Sequence, residues 1–216
     1  CLYKKIQEYT NAIEYFYKVL EIDAGHKMAI LNIANTYSLF NKAKAIEYLK
    51  SYNSIFPEDD DILTSMYFTY LKMMDYKNCL ETSKKLMELN PLESSFIVFC
   101  ADTYNSLYEY EKAEELYKKV LEIEPDNLTA NVQLANIYSQ KNMTEEAVKI
   151  IKPYLYYEDA KKAYAYILMR NKVIDGAKET LYSMLTEVWT KEEGKKNAQK
   201  LFYHLGIGDK YGISEE

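Results

Sequence analysis

The sequence predicts an all-α fold, a solenoid in which similar antiparallel helix pairs follow one another along the chain. Two rows of residues share one period and carry this prediction. The small row, with spacings of 33, 34, 34, 34 and 30 residues, consists of Ala12, Ala45, Cys79, Ala113, Ala147 and Ala177. The tyrosine row consists of Tyr3, Tyr37, Tyr70, Tyr104 and Tyr138, with Leu168 in the sixth position. A period near 34 residues is typical of repeats that contain two helices.

Composition and charge narrow the classes of partner. Of the 216 residues, 48% are hydrophobic and 28% are charged, as in ordinary folded domains. The net charge is −6, whereas nucleic-acid-binding proteins usually carry a basic patch, so we expect no nucleic-acid partner. No run of 18 apolar residues occurs, and we expect no membrane span. The three cysteines are odd in number and widely spaced, which favours a reducing compartment, and we expect a cytoplasmic location.

Residues 94–127 show one repeat most clearly. Apolar side chains recur every three and four residues from Phe96 to Leu107, and again from Ala113 to Ile123, which indicates two amphipathic helices. We expect Ser94 to cap the first helix, because serine is a favoured N-cap. Pro125 disfavours helical geometry at the residue before it, so the second helix should end near Glu124. Asp126 or Asn127 can then cap the next helix.

These motifs resemble those of the tetratricopeptide repeat family. That family places a large residue, then Leu-Gly, Tyr, Ala, Phe and Pro at fixed offsets. Residues 94–127 fill these places with Ile97, Cys100-Ala101, Tyr104, Ala113, Tyr117 and Pro125. The resemblance implies a right-handed superhelical solenoid of antiparallel helix pairs. It divides a single domain, 1–205, into a truncated first repeat and about five more: 1–26, 27–59, 60–93, 94–127, 128–157 and 158–190.

The pattern is irregular in three places. Repeat 27–59 has one residue fewer in its internal turn than the others. Pro153 lies inside a predicted helix over 144–157, where a missing hydrogen bond should kink the helix. A capping-box sequence, Thr190 to Glu193, introduces an amphipathic segment at 191–205. We expect that segment to be a helix that covers the exposed end of the solenoid, followed by a loosely ordered tail at 206–216.

No motif points to catalysis, and we expect that the chain is not an enzyme. His26 and His204 are far apart and have no cysteine or carboxylate at metal-ligand spacing. Gly206-Ile207-Gly208 follows no predicted strand, so it does not predict a phosphate site. We therefore predict no catalytic residue, no cofactor and no metal.

The resemblance implies a binding site on the concave face, which in this family is lined by the first helix of each repeat. The residues at these places are Asn35, Ser38, Phe68, Lys72, Asp102, Asn105, Asn136, Ser139, Gln140, Tyr166 and Arg170. Amides and hydroxyls predominate, and such groups can pair with the backbone of an extended peptide. The alternative for each residue is solvated helix surface.

One subtype of the family binds acidic chaperone tails through a Lys–Asn–Asn–Lys–Arg clamp. Only Asn35 matches that clamp, and the other four places hold Leu31, Ser65, Ser95 and Phe99. We therefore expect no binding of such tails.

The leading hypothesis is a non-enzymatic scaffold that binds a protein or peptide on its concave face. An alternative is the targeting or regulatory repeat arm of a larger enzyme or envelope-assembly machine. A third is self-association through the N-terminal face, because Tyr3 already occupies the tyrosine position and we expect the given chain to begin within a repeat. Cys1 could instead be the lipid-bearing first residue of a processed lipoprotein.

Tyrosines are abundant, with 23 in the chain, and they have two interpretations. Many occupy packing positions. Five crowd the irregular junction of the last repeats and could also anchor an interface: Tyr154, Tyr156, Tyr157, Tyr164 and Tyr166. We expect packing to be their main role.

Overall fold

The computed structural model describes residues 2–173, 176–177 and 180, and within these residues all regular structure is helical. The α-helices are α1 Leu2–Ile22, α2 Lys27–Phe40, α3 Lys42–Asn53, α4 Asp60–Lys72, α5 Tyr76–Leu89, α6 Ser94–Ser106, α7 Tyr110–Ile123, α8 Leu128–Gln140, α9 Thr144–Ile151 and α10 Glu158–Arg170. The predicted all-α class is confirmed, and the helices α4, α6, α8 and α10 begin where the repeats at 60, 94, 128 and 158 were predicted to begin.

The chain divides into two compact bodies, with the boundary between Leu116 and Tyr117, inside α7. In the N-terminal body, α1 packs on α2, α2 on α3, α3 on α4, α4 on α5 and α5 on α6. The first helices α2 and α4 of successive repeats also touch. In the C-terminal body, α8 packs on α9, and α10 packs on both. Each helix therefore buries its apolar stripe against its neighbours in sequence, as in a stack of helix pairs.

Most of the small-residue row lies in the buried interior. Ala45, Cys79, Ala113, Ala147 and Ala177 are all 0% exposed. Larger apolar side chains fill the space around them, among them Leu49, Leu86 and Ile97 in the N-terminal body and Ile151 and Ile167 in the C-terminal body. Fully burying one such side chain stabilises the fold by about 1.5–3 kcal/mol. The row seen in the sequence is thus a packing feature.

The turns inside the repeats follow the predicted spacing. Three residues separate the paired helices at 73–75, 107–109 and 141–143, and the middle residue of each turn is left-handed. These middle residues are Met74, Tyr108 and Asn142, with φ of 57°, 62° and 63°. In repeat 27–59 a single residue, Asn41, ends α2 and begins α3, and its side chain accepts a hydrogen bond from the Lys44 backbone N–H. The sequence correctly predicted a shorter turn, but the turn is two residues shorter than the others and not one, because α2 has 14 residues where α4, α6 and α8 have 13.

The helix caps also recur with the repeat. Asp59, Glu93 and Asn127 stand 34 residues apart, and each is the N-cap of a first helix. The prediction that Ser94 is a cap was wrong, because the period fixes the cap at Glu93 and makes Ser94 the first helical residue. The Glu93 side chain makes no capping bond and instead accepts a hydrogen bond from Ser95 Oγ at 2.7 Å. Asn127 does cap α8, as expected: its Oδ1 accepts from Ala130 N at 3.0 Å.

The predicted helix over 144–157 was wrong. The helix α9 ends at Ile151, and a 3₁₀ turn follows at Lys152–Tyr154. Lys152 keeps right-handed helical geometry, but Pro153 has no N–H to donate to the carbonyl four residues earlier, so the α-helix ends here instead of kinking. The Tyr154 hydroxyl lies 3.3 Å from both Pro125 O and Asp126 Oδ1, which ties this turn to the start of α8. Burial raises the pKa of the Tyr154 phenol.

Several predictions fall outside the described residues. They concern the second helix of the last repeat beyond residue 180, the capping helix at 191–205, the tail at 206–216 and His204. All of these stay predictions.

Candidate binding site

The candidate site residues all lie on the first helices of their repeats, but they differ in exposure. Asn35 and Ser38 are on α2, Phe68 and Lys72 on α4, Asp102 and Asn105 on α6, Asn136, Ser139 and Gln140 on α8, and Tyr166 and Arg170 on α10. Ser38 is 3% exposed and Ser139 is 2% exposed. These two hydroxyls therefore serve as hydrogen-bonding partners inside the fold. The other nine side chains are exposed or half-buried.

In the N-terminal body, two polar bridges join α2 to α4. Ser65 Oγ donates to Asn35 Oδ1 at 3.3 Å. One turn further along α2 and two turns further along α4, Lys72 Nζ donates to Ser38 Oγ at 2.9 Å. The Ser38 hydroxyl donates in turn to Asn35 O at 2.8 Å. The bridges set the two helices in register and hold the Lys72 ammonium at the surface.

A second lysine, which the sequence analysis did not select, lies at the same end of α4. Lys42, the first residue of α3, donates from Nζ to the backbone oxygen of Lys72 at 2.6 Å. That oxygen belongs to the last turn of α4, where unpaired carbonyls attract a cation. The sequence gives only a weak signal for Lys42, because a lysine at the start of a helix usually lies on the solvated surface.

Four aromatic side chains form a cluster beside these bridges. Phe68 meets Phe99 edge to face, with ring centroids 5.1 Å apart, and Tyr67 stacks on Phe99 at 4.6 Å. Phe96 packs against Phe99 from the other side, at 6.0 Å. Tyr67 is buried and its hydroxyl donates to Phe99 O at 3.1 Å, whereas Phe68 is 43% exposed. Phe68 is thus an exposed ring on a rigid aromatic base.

On α6, the two candidate residues Asp102 and Asn105 are half-buried. The Oδ1 atom of Asn105 is enclosed and accepts no hydrogen bond from any described residue. These two side chains extend the polar surface beyond Phe99 by one and two helical turns.

The C-terminal body contains a cleft between its first helices, α8 and α10. Its volume is about 340 Å³, and its walls are Leu128, Thr129, Val132, Gln133, Asn136, Asp159, Lys162, Ala163 and Tyr166. Asn136 and Tyr166 were predicted from the sequence. The other seven were not, although the α8 members precede Asn136 by three to eight residues on the same helix. A helix-period search from Asn136 finds Val132, Gln133 and Thr129.

The charges around this cleft are largely balanced. Lys162 Nζ lies 2.7 Å from Glu158 Oε1 and 3.6 Å from Asp159 Oδ1. The hydrogen bond to Glu158 raises the pKa of the Lys162 ammonium. On the rim, Asn136 Nδ2 donates to Gln133 Oε1 at a long 3.5 Å. The rim therefore presents amide groups and the Tyr166 phenol, and its charged groups are largely paired with one another.

Ser139 and Arg170 lie at the far end of the same helices. Asn171, which follows α10, donates from Nδ2 to Ser139 Oγ at 3.2 Å, so Ser139 ties α10 to α8. Arg170 is exposed, and Gln140 is half-buried.

Three acidic side chains lie close together at the start of α4. The carboxylates of Asp59, Asp60 and Asp61 lie within 4.8 Å of one another. The Lys27 ammonium already lies among them, 2.9 Å from Asp59 and 2.5 Å from Asp61. Its hydrogen bonds to Asp61 and then Asp59 hold the pKa of Lys27 above its ordinary value. A lysine thus supplies the positive charge at this cluster, which joins α2 to the start of α4.

The two described cysteines and His26 have structural roles. Cys79 and Cys100 are fully buried, and burial raises the pKa of the Cys79 thiol to about 11. Their predicted role as small core residues is confirmed. His26 is the N-cap of α2, and its Nδ1 accepts from Ala29 N at 3.2 Å.

In the described part of the chain, no helix combines the length and the apolarity needed to cross a lipid bilayer.

Comparison with known proteins agrees with this fold. Two family models described as tetratricopeptide repeat match residues 106–168 and 1–26. These matches and the structural similarities below confirm the resemblance, and the class of protein that they and the fold define is a tetratricopeptide repeat protein. No protein with curated function matches the sequence.

Three solved structures are similar to this chain at low sequence identity. A tetratricopeptide repeat protein from Parabacteroides merdae has a TM-score of 0.79 and 14% identity, over 96% of this chain and 85% of that one. A thermophilic protein of the same class from Thermus thermophilus has a TM-score of 0.67 and 17% identity, over 82% and 98%. YrrB, described as a TPR protein with an unusual peptide-binding site, has a TM-score of 0.60 and 15% identity, over 87% and 99%. At these identities the similarity shows the fold.

Proposed function

We propose that this chain is a non-enzymatic interaction scaffold whose first helices bind a peptide segment of a partner protein. The observation that carries the proposal is the cleft between α8 and α10, about 340 Å³ in volume. This size is within the range of about 300–1,000 Å³ found for ligand sites. The peptide-binding site described for YrrB supports the same use of the fold.

The walls of the cleft suit a peptide. Leu128, Val132 and Ala163 form an apolar floor, against which a partner side chain can bury its surface. The amides of Gln133 and Asn136 can each donate and accept hydrogen bonds, which a peptide backbone needs when it leaves water. The Tyr166 ring is 53% exposed and can cover a bound segment. The net charge of −6 and the free, buried cysteines support a protein partner in a reducing compartment such as the cytoplasm.

The test is an affinity measurement on two cleft variants. A partner recovered with the purified chain and identified by mass spectrometry is titrated calorimetrically against Asn136→Ala and Tyr166→Ala. We expect each variant to lose about tenfold in affinity, equivalent to about 1.4 kcal/mol, because central interface residues commonly contribute that much. Tyr156→Ala is the matched control, since Tyr156 is 89% exposed and outside the cleft. Equal affinities for all three variants and the native chain would refute the proposal.

A further inference from the structure

The N-terminal body combines an exposed aromatic ring and an unneutralised cation on one helix face. Phe68 and Lys72 are four residues apart on α4, so they are neighbours one helical turn apart. The Phe68 ring is 43% exposed, although Tyr67 and Phe99 hold it firmly from two sides. A large apolar ring kept in solvent on a rigid base is typical of an interface anchor.

Lys72 carries a positive charge in a part of the chain whose net charge is negative. Residues 1–116 contain 12 lysines and 18 acidic residues, so this part of the chain accounts for the whole net charge of −6. Yet Lys72 Nζ has only the Ser38 hydroxyl as partner among the described residues. Within the same described residues, Lys42 Nζ, at the end of the same helix, has only a backbone oxygen as partner. Two ammonium groups with no carboxylate partner in the described part of the chain therefore mark the end of α4 as a positive site in a negative body.

We propose that this site binds an extended partner segment in which an aromatic side chain and a carboxylate stand two residues apart. The aromatic side chain packs on Phe68, and the carboxylate pairs with Lys72, assisted by Lys42. In an extended segment, side chains two residues apart project from the same face, about 6.5–7 Å apart. Neighbouring side chains one helical turn apart on α4 are about 5–6 Å apart, so the two spacings differ by about 0.5–2 Å.

The polar bridges beside the site also favour the binding of an extended segment. Asn35 is exposed on α2, and its amide nitrogen is not used in the bond from Ser65, so it can donate to the backbone of the bound segment. The bridge from Lys72 to Ser38 fixes the ammonium in place, which reduces the entropy lost on binding. The inference rests on the proposed function, because it names the chemistry of a partner segment that this function requires.

The test is selection of a phage-displayed library of random 12-residue peptides on the immobilised chain. Selection is run in parallel on the native chain, Phe68→Ser, Lys72→Glu and the control Lys50→Glu, which reverses the same charge on an exposed position of the second helix α3. We expect the native chain and the control to enrich peptides with an aromatic residue and Asp or Glu two positions apart. Phe68→Ser should lose the aromatic preference, and Lys72→Glu should replace the acidic preference by Lys or Arg.

Affinities of the best enriched peptide give the quantitative readout. We expect Phe68→Ser to weaken binding by roughly tenfold and Lys72→Glu by at least about fivefold, with no change for Lys50→Glu. Enriched peptides that lack the aromatic–acidic pair, or that bind Lys72→Glu as well as the native chain, would overturn this inference. Such peptides would leave the proposed function intact if Asn136→Ala or Tyr166→Ala abolished their binding. A native chain that enriches no peptide would overturn both.

Discussion

Replacing Tyr67 by Phe should change the response of the fold to alkaline pH. The Tyr67 side chain is 1% exposed, and burial, the largest cause, raises the pKa of its phenol from 10.0 to about 12. The neutral phenol is therefore favoured in the folded state. Its stabilising contribution is complete below pH 10 and is lost as the pH rises to 12. A shift of this size corresponds to about 2.7 kcal/mol, of which about 1.4 kcal/mol is lost by pH 11.

At neutral pH the substitution of Tyr67 by Phe should destabilise the fold. Phenylalanine cannot donate to Phe99 O, a bond of 3.1 Å in the native chain, and such a bond contributes about 1 kcal/mol. Phe99 O still accepts from Thr103 Oγ1 at 2.8 Å, so the carbonyl is not left unpaired. The variant should thus be less stable than the native chain at pH 8 and equally or more stable near pH 11.

Urea denaturation followed by circular dichroism, repeated from pH 8 to 11.5, measures both free energies of unfolding. All other side chains are the same in both proteins, so the difference between the two free energies of unfolding isolates the effect of the Tyr67 hydroxyl. A variant that stays less stable by the same amount at every pH would show that Tyr67 does not titrate with a raised pKa, and the reasoning from burial would fail.

Two further predictions concern the repeat framework. Tyr108→Gly should stabilise the chain by about 0.5–1 kcal/mol in thermal denaturation, because Tyr108 has a φ of 62° and glycine adopts this conformation without strain; a lower melting temperature would contradict this account. Ala113→Leu should destabilise the chain by about 1–3 kcal/mol, because Ala113 is 0% exposed and a larger side chain would overpack the core. Glu115→Leu, on the exposed side of the same helix, should stay within about 0.5 kcal/mol, and equal effects of both substitutions would argue against overpacking.

The regular parts of the fold were predictable because they depend on local rules repeated at a fixed period. The small row, the tyrosine row and the prolines after the second helices placed the helices α4 and α6 within a residue or two. The cap at Glu93 was missed for a related reason. Serine is the better capping residue in isolation, but the phase of the repeat overrides the preference of one residue.

The candidate sites were predictable only in part. The resemblance to the repeat family correctly placed Phe68, Lys72, Asn136 and Tyr166 on first helices. It did not reveal that Ser38 is buried and hydrogen-bonded inside the fold, nor that the Lys42 side chain reaches the end of α4. Both facts depend on the packing of one helix on another, and the period of the sequence repeat does not contain that information.

By itself, the sequence determined the class of fold, the length of the repeat and the residues that form the core, since these follow from hydrophobic period and turn chemistry within about 34 residues. Only the tertiary structure decided which polar side chains stay open to a partner. The cleft between α8 and α10 and the bridge from Lys72 to Ser38 join residues about one repeat apart in sequence. Their chemistry arises from the distance between helices, and that distance is set by how whole repeats pack.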